Sequence, residues 1–539
     1  MIKPTQFNSA KKIHVSGATS AGGIPYVKIK ACGQKAYVPL ADFAGSNTVA
    51  REKLVAANII LLKPDWARCV ALVEDITKFP PKPIIVSPGW AGADFALPDG
   101  TVLSPPGSKA PIVLFQANRW KCLEKGSLKG WNKGLAVLAD QHLVAFILMA
   151  TFAASLLEIV NRMGNIGLEL AGPKGVGKST LQRLAAAVVG GGVEQPGHNY
   201  WISANTTSNG LEAAFPEHDD LPMILEELNL FAAGETERNR ATKIDELVFR
   251  LSDGSTKARF GSNAQQSYRF VYIASTNEPL AQVLLGYRKQ VSEAAADRLL
   301  TLPLEDREFG IFDSLPDGWA TARELAEHLV KVTANHYGVA MREFLRRLVE
   351  ERAADEGALR RQITKSMKRF RSRVGVDENN GSATRVVDAF GLIYAAGVLA
   401  QRYGALPAEL RCGPSALVAY ELNRSTAGDA PSMIERLIKL AKAPDVIRVD
   451  RERLRNIGDK LLSGAPALIR IDAKGRTELL LTAAALDRAF PVKRFLFEDP
   501  DVAAIMVCDK DGRKTVKRLL RAKHKPERVY CFRLPPEAI

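Results

Sequence analysis

Six cysteines in 539 residues (Cys32, Cys69, Cys122, Cys412, Cys508 and Cys531) stand far apart and form no CxxC pair. That argues against a zinc site or a disulfide framework, and it fits a reducing cytoplasm. Long apolar runs are equally scarce. The one segment that imitates a membrane span, residues 143–157 (LVAFILMATFAASLL), is roughly 15 residues and falls short of the ~18–20 that a bilayer requires. It reads as a buried helix. The opening MIKPTQFNSAKKIHV lacks the apolar core of a signal peptide, so the expectation is a cytoplasmic protein with no membrane partner. No internal repeat or low-complexity segment stands out. Positive charge, by contrast, is plentiful: 74 Lys and Arg against 59 Asp and Glu give +15 and a pI near 9.4. Residues after 410 carry 26 of those bases against 17 acids. Such an excess points to a polyanionic partner, nucleic acid before membrane. The length implies two to four domains.

The strongest local signal is GNIGLELAGPKGVGKSTLQRLA, residues 165–186. Gly172-Pro173-Lys174-Gly175-Val176-Gly177-Lys178-Ser179 satisfies GxxxxGK[ST] at every position, with Thr180 next. An apolar strand (Ile166–Leu170) precedes it, and Leu181, Leu184, Ala185 and Val188 follow at helical spacing. Glycines let backbone N–H groups turn inward, and the new helix adds the positive end of its dipole, so the loop can cradle the phosphates of ATP. Lys178 would reach the outer phosphates and the Ser179 hydroxyl would ligate Mg²⁺. A plain Gly-rich turn capped by Ser is the blander alternative.

About 48 residues after Lys178 comes LPMILEE, an apolar strand ending in Glu226 and Glu227. Such a pair suits a nucleotide site, one carboxylate holding Mg²⁺ (Glu226) and the next acting as general base on the attacking water (Glu227). Glu226 stands where Asp is usual and is one methylene longer. A second apolar strand, FVYIASTN, ends in Asn277, where ring ATPases with an extra strand between the two nucleotide motifs carry a water-orienting polar residue. Between the motifs, residues 254–269 read as a hairpin bearing Lys257 and Arg259. It is either a pore hairpin touching nucleic-acid phosphate or an ordinary solvated hairpin. Arg298, in ADRLLTLP, suits an arginine finger offered to a neighbouring subunit, or a salt bridge near Asp297. Arg385 leads an apolar helix and could serve as a second sensor of the nucleotide.

Around this core, residues 1–118 read as an α+β accessory domain. It has a hairpin at 24–39, a helix at 49–57 and a further hairpin from Gly89-Trp90 to a turn at Asp99-Gly100. Asn209 and Glu212 read as a capping box. The core, 119–408, ends in a helical lid from 320 to 402, broken at 375–384. Residues 409–539 read as a basic winged-helix-like domain with strands near 467–471, 478–481 and 528–533. A basic helix over 513–525 would present Lys514, Lys517, Arg518 and Arg521 to DNA.

The ordered set resembles the domain-of-unknown-function 927 family. It comprises Gly89-Trp90 with FALPDG, Trp120, the phosphate loop, Trp201 with Asn209-Gly-Leu-Glu212, MILEEL, LSDGSTKAR, ADRLLTLP, HYGVAMREFL and Arg385 with AAGVLA, from about residue 20 to 410. The resemblance implies an α/β, AAA+-like, ring-forming DNA-dependent ATPase of a mobile genetic element, similar to minichromosome-maintenance-type helicases. Lys178, Ser179, Glu226, Glu227, Asn277 and Arg298 match its expected positions. No primase signature is visible, so priming would need a separate primase or loader. The reading is therefore a homo-hexameric helicase using ATP and Mg²⁺ on single-stranded or forked DNA. The alternative from another class is a nucleotide-gated DNA-binding or assembly switch that does not unwind, serving transposition, element maintenance or phage defence. A small-molecule kinase is disfavoured because no acceptor-binding lid pattern appears.

Overall fold

Alternation of Val27, Ile29 and Ala31 with Lys28 and Lys30 makes the first regular structure a sheet with one apolar face. The computed structural model describes residues 12–20, 22–118, 121–162, 164–191, 199–231, 237–255, 267–277, 279–280, 299–305, 307–375, 381–425, 433–442, 446–449, 465, 467–472, 475–490, 496–497, 499–518, 520 and 526–534. Strands β1 (His14–Thr19), β2 (Pro25–Ala31) and β3 (Gln34–Pro39) form an antiparallel sheet in that order. Helices α1 (Thr48–Ala56) and α2 (Lys63–Glu74) cover its apolar face through Leu54, Cys69 and Val73. The expected hairpin and helix are both present. Next come β4 (Ile84–Ile85), β5 (Gly89–Ala91), β6 (Asp94–Ala96), β7 (Val102–Leu103) and β8 (Ile112–Val113). The turn at Asp99-Gly100 forms as expected, but it joins β6 to β7. Trp90 reaches Phe95 through a separate turn at Gly92, whose φ is +68°, so the hairpin becomes a three-stranded meander.

The core then builds on helices α3 (Leu128–Leu135) and α4 (His142–Ala153). Every residue of α4 from Leu143 on is buried, so the apolar segment is a core helix, as expected. Five strands follow with helices between them: β9 (Ile166–Ala171), α5 (Lys178–Val189), β10 (Ile202–Ser203), α6 (Ser208–Glu212), β11 (Leu221–Glu226), α7 (Glu237–Asp253), β12 (Phe270–Thr276) and β13 (Leu299–Pro303). All pairings among these strands are parallel, in the order β10-β11-β12-β9-β13. Near-continuous apolar strands flanked by helices are the sequence form of a sheet buried on both faces. The capping box at Asn209 does not form. Thr207 caps α6 by accepting from the Gly210 N–H, and Glu212 is taken by Arg250 at 2.8 Å. Helices expected from 320 to 402 are present as α8 (Ala322–Asn335), α9 (Val339–Val374) and α10 (Gly381–Arg402), with the break opening at Gly375 (φ +65°); α11 (Cys412–Arg424) follows. By length and composition α10 could cross a membrane, yet Phe390, Leu392 and Ile393 are fully buried against protein, and α10 packs on α4 and α9.

The chain divides into two compact units, 1–305 with 309–423, and 306–308 with 424–539. The second unit contains α12 (Met433–Ala441), β14 (Ile447–Val449), β15 (Leu468–Ile471), β16 (Thr477–Leu481), α13 (Ala483–Ala489), α14 (Pro500–Ile505), β17 (Val516–Arg518) and β18 (Glu527–Arg533). Its mixed sheet runs β14-β15-β16-β18-β17. Three of the expected strands are there. The expected basic helix does not form over its described part, 513–518, since Val516–Arg518 is a strand paired antiparallel with β18; residues 519 and 521–525 lie outside the described residues. Val516 is buried beside Val529 in a small apolar cluster, and β-branched Thr515-Val516 suits that sheet position better than a helix. The helix-then-strand pattern behind the winged-helix reading is thus replaced by a sheet edge.

Candidate nucleotide-binding and catalytic site

The parallel registers bring the carboxyl ends of three strands to one edge. Ala171 at the end of β9 pairs with Thr276 at the end of β12, and Leu225 of β11 sits opposite Ala274. Parallel α/β sheets bind ligands at this edge. The phosphate-loop candidate leaves β9 here. Gly175 and Gly177 adopt φ of +88° and +98°, a region where a side chain is strained, and α5 starts directly at Lys178. The first loop amide, Gly172 N–H, donates to the Thr276 carbonyl at 3.2 Å. From the far side Ile311 N–H donates to the Val176 carbonyl at 3.0 Å, and a Cβ on Gly310 would meet that carbonyl at 2.5 Å. Gly310-Ile311 is thus a brace that sequence reasoning passed over.

Lys178 donates to the carbonyls of Gly172 and Pro173, the latter at 2.8 Å. Burial pulls its pKa below the ordinary lysine value, Glu227 pushes it back up and Lys174 lowers it further. The electrostatic field of Glu227 therefore reaches the loop lysine. Ser179 is exposed on the first turn of α5. Glu226 is half-buried at the end of β11, and Glu227 next to it is exposed with φ +54° and ψ +54°, a left-handed backbone unusual for glutamate. The Ser275 hydroxyl, buried on β12, accepts the Glu227 N–H at 3.0 Å. Asn277 is half-buried immediately past β12.

Behind the edge, Gln182 of α5 donates to the carbonyls of Leu225 (2.8 Å) and Ile273 (3.2 Å), tying the loop helix to β11 and β12. Glu169, fully buried in the middle of β9, accepts from Thr276 Oγ1 at 2.8 Å, Thr301 Oγ1 at 2.7 Å and Leu280 N–H at 2.8 Å. Burial raises its pKa against the pull of those hydrogen bonds. At the opposite edge of the sheet, Arg269 pairs with Asp220 at 2.9 Å and with Glu158, while its N–H donates to Asp219. Asp220 also accepts from Trp90 N–H, and Arg352 lies over the Trp90 ring, 4.2 Å from its centroid. Glu169 was visible as the lone polar residue of an otherwise apolar strand, whereas Gln182 shares its helix with Lys178, Ser179, Thr180 and Arg183 and does not stand out by type. Ser275 and the Arg269 cluster gave no local signal, because their partners are more than 40 residues away in sequence.

Of the sequence-stated candidates, the structure gathers residues 172–180, Glu226, Glu227 and Asn277 at one edge. Arg385 is exposed near the start of α10. Ser255 and Ser267 form an antiparallel bridge, closing the base of the expected hairpin. Lys257, Arg259, Arg298, Arg521 and Trp120 lie outside the described residues. In the second unit Lys517 is exposed, but Arg518 is bound to the buried Glu478 at 2.9 Å and the Lys514 ammonium lies 4.4 Å from the Phe497 ring centroid. No group of three or more His, Cys, Asp or Glu able to hold a metal occurs among the described residues.

Residues 24–267 match the family described as "Domain of unknown function (DUF927)". The chain carries a DUF927 domain. This domain takes in the phosphate-loop candidate and the acidic strand and ends before β12. No curated protein matches the chain in sequence. Among solved structures, one described as "SCCmec type IV Cch - active helicase" is similar over 100% of this chain and 95% of its own, with 15% identity and a TM-score of 0.54. At that identity the likeness shows a shared α/β fold with a parallel sheet. The apo C-terminal region of NrS-1 matches over 70% of this chain and 83% of its own, at 12% identity and a TM-score of 0.24.

Proposed function

We propose that this DUF927 chain is an ATP-dependent DNA motor, a replicative-type helicase of a mobile genetic element. The observation that carries the reading is the carboxyl edge of the parallel sheet. There the glycine-rich loop opens α5, Glu227 faces the field of Lys178, and a single strand, β12, separates the loop strand from the acidic strand. That strand arrangement is the one the ring-ATPase reading requires. A helicase among the structures sharing the fold agrees with it.

The loop amides and Lys178 would hold the ATP phosphates, whose oxygens are stronger acceptors than the two carbonyls that Lys178 now engages. The donors present fit Mg²⁺. The Ser179 hydroxyl and the Glu226 carboxylate are hard oxygens at the same edge, and Mg²⁺ is commonly held by one or two carboxylates with phosphates and water rather than by a protein cage. When bound, the ion would neutralise charge on the transferring phosphoryl group. Glu227 accepts the proton of the attacking water, and Asn277 orients that water. Arg298 from a neighbouring subunit would meet the developing charge in a homo-hexamer, and Arg385 would sense the nucleotide. Residues 1–118 serve as accessory domain, 119–408 as motor, and 409–539 as a basic appendage, with priming left to another protein.

The test is ATP hydrolysis with and without single-stranded DNA, beside Lys178→Ala and Glu227→Gln. DNA should stimulate the wild type. Glu227→Gln should lower kcat by at least ~100-fold while nucleotide still binds, as expected for loss of a general base. Hydrolysis indifferent to DNA would sink the motor and leave the nucleotide-gated switch.

A further inference from the structure

The first 41 residues contain six lysines and no aspartate or glutamate, although the chain as a whole holds 59 acids. Three of those lysines lie on one face of the first sheet. Because Val27, Ile29 and Ala31 point into the core, Lys28 and Lys30 occupy the other face of β2. The strand register then aligns them in rows. His14, Lys30 and Lys35 stand opposite one another across the three strands, and Ser16, Lys28 and Tyr37 form the next row. His14, Ser16, Lys30 and Lys35 are exposed, Lys28 and Tyr37 half-buried, and exposed Lys12 precedes His14 by two residues. Beyond these rows the face closes, where Ala18 and Tyr26 pack under Ile84.

Like charges directly opposite in a sheet are destabilising. Among the described residues no carboxylate offsets the Lys30–Lys35 pair. No ion pair engages Lys28, Lys30 or Lys35 among the described residues, and Asp42, the first acid of the chain, is held by Lys53 at 2.7 Å. The row is therefore built for a counter-charge from outside. Tyr37 adds the second element: half-buried against the Ala18, Tyr26 and Ile84 cluster, its ring lies under the Lys28 ammonium, 5.8 Å from the ring centroid, so an aromatic borders the cations. Exposed lysines with an aromatic at their border match the phosphates of an unpaired strand first and a stacked base second, since every phosphate can pair and every base has a face.

We propose that the outer face of β1–β3 binds single-stranded DNA through its phosphate backbone, without sequence preference and without nucleotide. This rests on the reading above only in taking DNA as the partner. The residues lie outside the ATP site, so binding here is separable from hydrolysis.

The experiment measures anisotropy of labelled mixed-sequence single strands with the full chain, without ATP, over a salt titration. It compares wild type with Lys28→Gln/Lys30→Gln/Lys35→Gln and with the matching triple Arg variant. The Gln variant should bind at least tenfold more weakly, and its log–log salt slope should flatten by about 2, because three phosphate contacts on a single strand contribute ~0.7 each. The Arg variant should bind like wild type, and DNA-free ATP hydrolysis should be unchanged in both. Wild-type affinity and slope in the Gln variant would overturn the proposal, as would stronger binding to duplex of equal length or equal binding to polyglutamate. Weak binding by the Gln variant together with hydrolysis that ignores DNA would leave this face standing and overturn the motor. DNA-stimulated hydrolysis with undiminished binding by the Gln variant would do the reverse.

Discussion

Glu227 holds a left-handed backbone that costs a non-glycine residue on the order of 1–3 kcal/mol, and such strain persists only where neighbours enforce it. Two contacts hold it: the Leu230 N–H donates to the Glu227 carbonyl at 2.7 Å, and the Ser275 hydroxyl accepts the Glu227 N–H. Ser275→Ala removes that acceptor and leaves Glu227 chemically intact. It should cost about 1 kcal/mol of stability, a typical hydrogen bond. The carboxylate would then sample other orientations, so kcat should fall about tenfold with KM for ATP little changed, a misplacement effect. Steady-state kinetics with a urea titration would decide this, and an unchanged kcat would remove Ser275 from any positioning role. Glu169 acts one layer deeper, pinning the end of β12, the middle of β13 and the Leu280 amide. Glu169→Leu should destabilise by roughly 1–3 kcal/mol through the orphaned Leu280 N–H, whereas Glu169→Gln keeps an acceptor there and should cost less. Equal losses in the two variants would show that shape, not hydrogen bonding, holds the site.

At the scale of elements, the parallel sheet is fixed at both edges by different chemistry. The carboxyl edge carries the candidate site, and the amino edge carries the ion cluster around Arg269. Burial raises the pKa of buried Asp220 and of half-buried Asp219, where Asp220 adds to the rise and the value is pushed up to about 7. Below the usual carboxylate range both folded and unfolded chains hold the Asp219 proton. As pH rises from about 4 towards 7 the unfolded chain releases it first, so the contribution to stability is present at low pH and is lost through the folded value. Asp219→Asn should therefore gain on wild type as pH rises across that window, by at least about 1 kcal/mol, the worth of less than one pKa unit. Urea midpoints from pH 4.5 to 7.5 would show it, and a constant gap would refute it. Arg269→Met should cost about 3–5 kcal/mol by stranding buried carboxylates. The same two edges show what was legible in the chain. The phosphate loop, the acidic strand, the 24–39 hairpin and the buried 143–157 helix each advertise themselves within a few residues. The Ser275 clamp, the Thr207 cap in place of Asn209 and the β17 strand in place of a basic helix were not legible. Each is decided by a partner distant in sequence or by a choice among near-equal local options.

For the whole molecule, the decisive question is whether one chain completes its own site. The candidate site gathers the loop, Glu226, Glu227 and Asn277 from a single sheet, while the proposed finger, Arg298, is offered to a neighbour. Lys178→Ala and Arg298→Ala should then each be inactive alone, for different reasons: the first lacks a loop that can hold ATP, the second lacks only what it gives away. Mixed before assembly, they should recover activity wherever an Arg298→Ala chain, with its loop intact, receives Arg298 from a Lys178→Ala neighbour. With random mixing at equal amounts that junction arises about a quarter of the time in a closed ring of head-to-tail interfaces, so activity should return to about a quarter of wild type. A ring whose sites fire only in concert would recover less, since every ring would contain dead junctions. If Arg298 served its own chain, each subunit of the mixture would carry one defect or the other and nothing would return. Hydrolysis measured across mixing ratios, with maximum recovery at equal amounts, therefore separates a site shared between subunits from one complete within each.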